Sequence, residues 1–395
     1  MSRYRLVPSA PQEVILQEHC GHARYVWNLA VEQQSWYGTA GRKTAPSWVA
    51  QAAQLTEARA DNPWLAAGSQ MVQQQALRDF CQAMANFFAG THRKPTWRKA
   101  RRDEGFRIVA VKPERIRRLS RNVAEVWVPK VGWVRFRLSR PVPEGVKSYR
   151  VTLDTAGRWH IAFAAAPDPV PGPGTGEVVG VDRGVAVSAA LSTGEMLSVA
   201  RLSPARRARL VLLQRKLARA RRGSNRRART RTAVARIKAS EADACKDWCE
   251  KTSTDLARRF DVIRVEDLRI TNMTRTAKGT IAEPGRNVRQ KSGVNREIRR
   301  SGRGLLVRRL EDKAPGRVQK VNPAYTSQTC SQCRTTDREA RESQAVFRCW
   351  TCGYCGNADT NAAMNIAAGH AVNARGGDRA AGPVNREPQL ALLAS

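Results

Sequence analysis

Four cysteines restrict what this chain can fold into more than any other feature of it. Cys330 and Cys333 form one Cys-x2-Cys pair, Cys349 and Cys352 another, and fifteen residues separate the pairs. Each such turn places two sulfurs on one side of a metal, and two turns complete a tetrahedron. Four thiolates leave no open position for water, so the spacing predicts a structural Zn2+ site in a ribbon over 326–356. Gly353, directly after Cys352, suits a tight knuckle, whereas Arg334 stands where the first knuckle would favour glycine. Five of the nine cysteines fall between Cys330 and Cys355. In a chain expected to be cytoplasmic, that clustering points to metal rather than disulfides. Cys355 reads as a spare thiol. Cys245 and Cys249, one helical turn apart without a partner pair, read as core residues, and so do His19, Cys20 and His22.

Charge narrows the function. The chain carries 69 Lys+Arg against 34 Asp+Glu, a formal net charge of +35. Such an excess is self-repulsive unless a polyanion neutralises it. Nucleic acid is the expected partner, because each phosphate contact releases counterions. No apolar run is long enough to span a bilayer. The start, Met1-Ser2-Arg3-Tyr4-Arg5-Leu6, lacks the apolar stretch of a secretory signal. Membrane is therefore excluded as a partner, and a cytoplasmic location is expected.

Periodicity divides the chain. Residues 3–8 read as a strand, and Val14, Leu16, Tyr25, Val26, Leu29 and Val31 recur near helical spacing in a mostly helical block over 12–104. Its aromatics, Trp27, Trp36, Tyr37, Trp48, Trp64 and Trp97, read as core. Arg98, Lys99, Arg101 and Arg102 are candidates for phosphate contact. Short alternating strands over 105–172, such as Val134-Arg135-Phe136-Arg137, predict a small β-barrel or sheet together with 1–11. Pro169-Val170-Pro171-Gly172-Pro173-Gly174 reads as a linker. Strands are then expected at Val178–Val181, Ala186–Leu191, Met196–Ala200 and Val262–Val265. Residues 201–240 contain no acid. Leu210, Leu213 and Leu217, a turn at Gly223-Ser224-Asn225, then Val234 and Ile237 describe a basic helical hairpin over 201–258. Forty uncompensated residues favour nucleic-acid contact over a merely solvated face. Residues 272–303 read as a polar loop, followed by a helix near Leu305–Lys313 and a strand at Val318–Val321. A short helix over 357–371 follows the ribbon, and the tail 372–395 reads as disordered.

Three acids occupy telling places. Asp182 ends one strand, Glu266 ends another, and Asp359 opens the helix after the ribbon. A phosphodiester nuclease needs such carboxylates to hold two Mg2+ ions about 4 Å apart. Asp267 competes with Glu266 for the role, and alternation alone leaves that choice open.

Several stretches resemble the TnpB family of transposon-encoded, RNA-guided nucleases, relatives of the CRISPR type V effectors. Gly180-Val181-Asp182-Arg183-Gly184-Val185 resembles its first RuvC motif. Val265-Glu266-Asp267-Leu268 with Asn272-Met273 resembles the second. Asn322-Pro323-Ala324-Tyr325-Thr326-Ser327-Gln328-Thr329-Cys330 leads into the ribbon, and Asp359-Thr360-Asn361-Ala362-Ala363-Met364-Asn365-Ile366 resembles the third. Asn357 stands where many relatives carry a further acid. The resemblance implies an α/β multidomain chain. Its RNase H-like RuvC nuclease domain, 173–325, would carry an inserted four-cysteine zinc ribbon. An N-terminal wedge β-barrel would carry a helical recognition insert. It implies Asp182, Glu266 and Asp359 as the catalytic, Mg2+-binding triad. It further implies a guide RNA, double-stranded target DNA, a short transposon-adjacent motif, one chain per RNA, and a nucleoid-associated life in a prokaryote. A catalytically silent RNA-guided repressor, a miniature type V effector and a strand-transferring transposase are the competing readings. Retention of all three acids speaks against the first, and the ribbon between the second and third motifs speaks against the last.

Overall fold

A computed structural model describes residues 2–37, 45–102, 104–165 and 168–369. The tail expected to be disordered lies outside the described residues. The chain divides into two compact units, Met1–Pro167 with Leu212–Arg236, and Asp168–Val211 with Ile237–Ser395. Among the described residues no helix is long and apolar enough to cross a membrane.

The first unit opens with β1 (Ser2–Val7), then α1 (Ala10–Ser35), α2 (Trp48–Asp61), α3 (Pro63–Ala67) and α4 (Gln70–Phe88). Strands β2 (Gly105–Val109), β3 (Ile116–Arg118), β4 (Val123–Val128), β5 (Gly132–Arg137), β6 (Ser148–Leu153) and β7 (Trp159–Ala164) follow. They form one antiparallel sheet in the order β2-β6-β7-β1-β5-β4-β3. The N-terminal strand thus lies mid-sheet, and the helices are an insertion between it and β2. Alternation explains the packing: Tyr4 and Leu6 are buried while Arg3 and Arg5 are only half-buried. Tyr4, Leu6, Phe136, Ile161 and Phe163 share one core with Leu16, Val26, Leu77 and Phe80 of the helices. Among the described residues β2 and β3 are open edges, so the expected barrel is a sheet that hydrogen bonds do not close.

The aromatic expectation needs correction. Trp27 is buried and Trp48 packs against the core, but Trp36, Trp64 and Trp97 are exposed. Helical spacing alone does not say which face meets the sheet. Arg98 stacks over Trp27, 3.7 Å from its ring centroid. His19, Cys20 and His22 are buried as read, each histidine facing a backbone carbonyl.

The second unit begins with β8 (Val178–Asp182), β9 (Ala189–Leu191) and β10 (Met196–Leu197). The last two are shorter than expected. Then come α5 (Pro204–Arg219) and α6 (Asn225–Arg259), whose residues from Leu212 to Arg236 count with the first unit, and β11 (Val262–Glu266), α7 (Ile270–Met273), α8 (Val288–Arg300), α9 (Arg303–Lys313), β12 (Val318–Val321), β13 (Val346–Arg348), β14 (Cys355–Asn357) and α10 (Ala358–Ala368). Five strands form a sheet in the order β10-β9-β8-β11-β12. Strands β8, β11 and β12 run parallel, and β9 and β10 return antiparallel. Val179, Val181, Ile263 and Val265 meet Leu256, Phe260, Leu306 and Leu310 in its core. Cys249 joins that core and Cys245 packs against it, as the sequence suggests.

The helix α8 replaces the loop expected over 272–303. Its few apolar residues, Val288, Val294 and Ile298, stand among charged neighbours, and among its residues Asn295 and Ile298 are buried. Polar contacts tether it: Asn295 donates to the carbonyls of Thr274 and Arg275, and Lys291 to that of Met273. In the basic hairpin, Arg227 clips the end of α5 by donating to the carbonyls of Leu217 and Ala220. Leu210, Leu213 and Leu217 are only half-buried, a thin seam beneath a basic exterior.

Candidate active site and metal centre

Register brings the first two acids together. β8 and β11 pair in parallel with Val265 opposite Val181, so the next residues, Glu266 and Asp182, end adjacent strands. Alternation puts Gly180 and Asp182 on one face of β8, and Arg264 and Glu266 on one face of β11. Helix α10 covers that face. A Cβ on Gly180 would lie 2.9 Å from the Ala367 Cα, and closer still to the Ala367 nitrogen and the Ala363 carbonyl oxygen. Arg264 reaches the Ala367 carbonyl at the helix end. From Ala363, four residues toward the helix start lead to Asp359, an advance of about 6 Å on one helix face. Two strand residues from Gly180 to Asp182 advance about 6.6 Å. The matching steps carry Asp359 to the level of Asp182 and Glu266. Asp267 falls on the opposite face by alternation, and its amide donates to the Val321 carbonyl.

The three carboxylates feel one another. Burial, then Glu266 and Asp359, push the Asp182 carboxyl up to about 8, against the pull of Arg303 and Arg341. Half-buried acids that repel one another favour a divalent cation, which answers their charge. Each is also held. Thr326 donates to Glu266 Oε1 at 2.9 Å. Arg341 Nη2 forms an ion pair of 2.9 Å with Asp359 Oδ1. Asn357 caps α10, its Oδ1 accepting from the amides of Asp359 and Thr360. The residue standing in for a further acid therefore fixes the helix start that presents Asp359.

The ribbon is built around sulfur. The four ligand atoms of Cys330, Cys333, Cys349 and Cys352 all lie within 4.8 Å of one another, a grouping confined to them among the described residues. The Sγ separations are 3.7 Å for Cys330–Cys352 and 3.5 Å for Cys333–Cys349. A tetrahedron with Zn–S arms of about 2.3 Å has edges of about 3.8 Å, so the donor set and its spacing fit zinc. Gly353 takes the left-handed φ of +76°, and Arg334 takes +64° without being glycine. Its guanidinium donates to Asn365 Oδ1 at 3.0 Å, a contact that glycine could not make. Cys355 is exposed and lies in β14.

Two buried asparagines of α10 weld ribbon to helix. Asn361 donates to the Thr329 carbonyl and accepts from the Ser331 amide. Asn365, one turn on, donates to the carbonyls of Thr326 and Thr329. The small ribbon core holds little beyond Ala340, Phe347, Ala358 and two of the cysteines. Zinc removal is therefore expected to melt the ribbon. Structural zinc contributes about 10–16 kcal/mol in small zinc domains. Hydrogen exchange after chelation should show 330–357 unprotected while β8 and β11 keep their protection. Full protection throughout would mean that the ribbon stands without metal.

Sequence reasoning reached the three acids and four thiols but gave no role to Thr326, Arg341, Asn361, Asn365 or Arg303. Thr326, Asn361 and Asn365 lie inside the quoted motifs. Arg341 and Arg303 carry no local signal, because their partners lie far away in sequence.

Comparison with known proteins follows the same lines. A family model described as "Probable transposase" matches residues 160–277, one described as "Cas12f1-like, TNB domain" matches 304–366, and a "Helix-turn-helix domain" matches 2–43. The chain is 35% identical over 404 residues to "Putative RNA-guided DNA endonuclease InsQ" of Escherichia coli (strain K12), covering 100% of this chain and 98% of that one. It is 31% identical over 382 residues to a protein of Streptomyces pristinaespiralis that bears the same endonuclease description, covering 95% and 90% of the two. Its fold resembles the protein in a cryo-EM structure of a Cas12f1-sgRNA-target DNA complex, with TM-score 0.55 at 14% identity, over 90% of this chain and 83% of that one.

Proposed function

Since the chain belongs to the TnpB family, we propose that it is an RNA-guided DNA endonuclease cutting double-stranded DNA beside a short transposon-adjacent motif. The observation that carries this reading is the meeting of Asp182, Glu266 and Asp359 at two strand ends and a helix start. The strand order β10-β9-β8-β11-β12, with its parallel β8, β11 and β12, supports an RNase H-like RuvC domain. Asp182, Glu266 and Asp359 would hold two Mg2+ ions. Bound there, such ions activate water for in-line attack on a phosphodiester and stabilise the leaving oxygen.

The chain's own groups do the positioning. Thr326 fixes the Glu266 carboxylate, and the capped first turn of α10 fixes that of Asp359. Arg341, donating to Asp359, orients that carboxylate. The four cysteines would hold a structural zinc, and Asn361 and Asn365 tie the ribbon to α10. The sheet and helices of the first unit would serve as wedge and recognition regions. Guide RNA and target DNA would neutralise the charge of +35, the basic hairpin taking part of that load. Base pairing would read the target, while protein reads the flanking motif.

A miniature type V effector is the nearest second reading. It is favoured by 52% identity over 56 residues to a CRISPR-associated endodeoxyribonuclease Cas12f1 of Sulfoacidibacillus thermotolerans, although that covers 14% of this chain. Plasmid cleavage decides the main proposal. The chain, purified with RNA transcribed from its own locus, is mixed with Mg2+ and a matched target bearing a randomised flank. Cleavage that requires both RNA and Mg2+ and depends on the flank is expected. RNA-dependent binding without cutting would favour the repressor, and cutting without RNA would overturn guided recognition.

A further inference from the structure

The loop between β12 and the ribbon leaves Glu266 and returns to it. It departs from Val321, which lies opposite Glu266 in the parallel register of β11 and β12. By Thr326 it is back at the same acid, the Thr326 hydroxyl donating to Glu266 Oε1 at 2.9 Å. Residues 322–325 therefore form a short arch with both feet on Glu266. Its turns are fixed from within. The Ala324 amide donates to Asn322 Oδ1, and the Thr326 hydroxyl also reaches the Pro323 carbonyl.

Tyr325, the last residue of the arch, stands in the left-handed region with φ at +62°. Among the described non-glycine residues with positive φ it is the one aromatic. A bulky residue there is an outlier, because its Cβ crowds the backbone. Such a conformation persists only where its surroundings impose it. Here the Tyr325 carbonyl accepts from the amides of Gln328 and Thr329 and from the Thr329 hydroxyl. Glycine would take that backbone without strain. Packing does not call for a ring either. Tyr325 is 41% exposed, and among the described residues its side chain enters no aromatic contact or hydrogen bond. The chain thus accepts strain to hold an unoccupied aromatic ring one residue from the hydroxyl that fixes Glu266.

We propose that Tyr325 is a substrate-binding residue whose ring stacks on an unpaired DNA base next to the phosphodiester to be cut, holding that bond at the carboxylates. Stacking suits a nuclease whose target sequence varies, because every base offers a π-face and none has to be read. Anchored by a fixed backbone and carrying two side-chain torsions, a tyrosine ring loses little freedom on binding. The proposal rests on the reading of Asp182, Glu266 and Asp359 as a nuclease site.

The test is single-turnover cleavage by the full, zinc-loaded chain with RNA from its own locus, Mg2+ and a matched synthetic duplex whose cut position has been mapped. Unaltered protein, Y325F, Y325A, Y325G and D182N are compared on intact duplex and on duplexes with one abasic site placed in turn at each nucleotide beside the cut. On intact duplex, Y325A and Y325G should cut about tenfold slower, the scale of one stacked base, and Y325F within about twofold of the unaltered chain. One abasic position should slow the unaltered chain and Y325F by about tenfold and cost Y325A and Y325G nothing further, because ring and base are a single interaction. Additive losses, or full-rate cutting by Y325G, would overturn the stacking. Melting separates rate from stability. Y325G should melt about 2–4 °C above Y325A, since glycine suits the positive φ, yet the two should cut alike. Rates that follow melting temperature would make Tyr325 a structural residue and overturn its role. Should the truncations fail to fold, the unaltered chain decides, and indifference to every abasic position sinks the proposal. D182N separates the two levels: if it cuts as fast as the unaltered chain, the carboxylate site itself is misread and Tyr325 falls with it. If D182N is silent while Y325G cuts normally, only the role of Tyr325 falls.

Discussion

Asp182→Asn is expected to yield a chain that still binds guide RNA and target but cuts the target DNA slower by about 10³-fold or more, the scale of losing a preorganised charge at a reaction centre. The same variant should be more stable than the unaltered protein without magnesium. In the fold, burial and the neighbouring acids push Asp182 from its ordinary value of 3.8 up to about 8. Between those values the folded chain holds a proton that the unfolded chain has released, so stability falls as pH rises through that window. The loss is complete above about pH 8 and absent below about pH 4. Asparagine keeps the shape and has nothing to titrate. The gain in the variant should therefore grow from about pH 4 to about pH 8, reaching about 2 kcal/mol or more. Melting curves across that range, in magnesium-free buffer that leaves zinc bound, measure it. Parallel curves for both proteins would show that Asp182 is not under this strain, and undiminished cleavage would remove it from the site.

The second large effect belongs to a residue without chemistry. Gly180→Val should detach α10 from β8, because any Cβ there would meet the backbone of Ala363 and Ala367 well inside van der Waals contact. Backbone cannot swing aside as a side chain can. Overpacking of this kind costs about 1–3 kcal/mol where side chains can yield, and more where they cannot. A helix displaced by about 1 Å would also carry Asp359 away from Asp182, enough to cost about 10²-fold in rate. Gly180→Ala should show the milder form of both losses. Gly293 is the control: it lies within α8 with nothing near a would-be Cβ. Gly293→Ala should stabilise by about 0.5–1 kcal/mol through the helix preference alone. Equal stability of the two alanine variants would refute the close-approach argument.

Much of the site is legible in the order of residues along the chain. The Cys-x2-Cys pairs announce themselves because zinc ligation depends on local turn geometry, which spacing encodes. Asp182, Glu266 and Asp359 stand out because each ends or begins a periodic segment. The helix α8 escapes notice because its few apolar residues, Val288, Val294 and Ile298, are diluted by charged neighbours, and polar contacts such as those of Asn295 help to hold it. The exposure of Trp64 and Trp97 is equally invisible, since spacing gives a helix face or a loop but not what lies against it.

By itself, then, the sequence marked the two Cys-x2-Cys pairs, the acids at the ends of two strands and the start of a helix, and the basic hairpin, all features carried by neighbours within a turn or a strand. The tertiary structure alone decided that strand register puts Glu266 on the face shared with Asp182, that Gly180 admits α10, and that Thr326 and Arg341 hold two of the acids. The physical reason is range. Hydrogen-bonding periods and ligand spacings are local, whereas strand register, helix approach and the field at a buried carboxylate are set by residues far apart in the chain, as Glu266 is from Thr326 and Gly180 from Ala363, that meet only when the chain has folded.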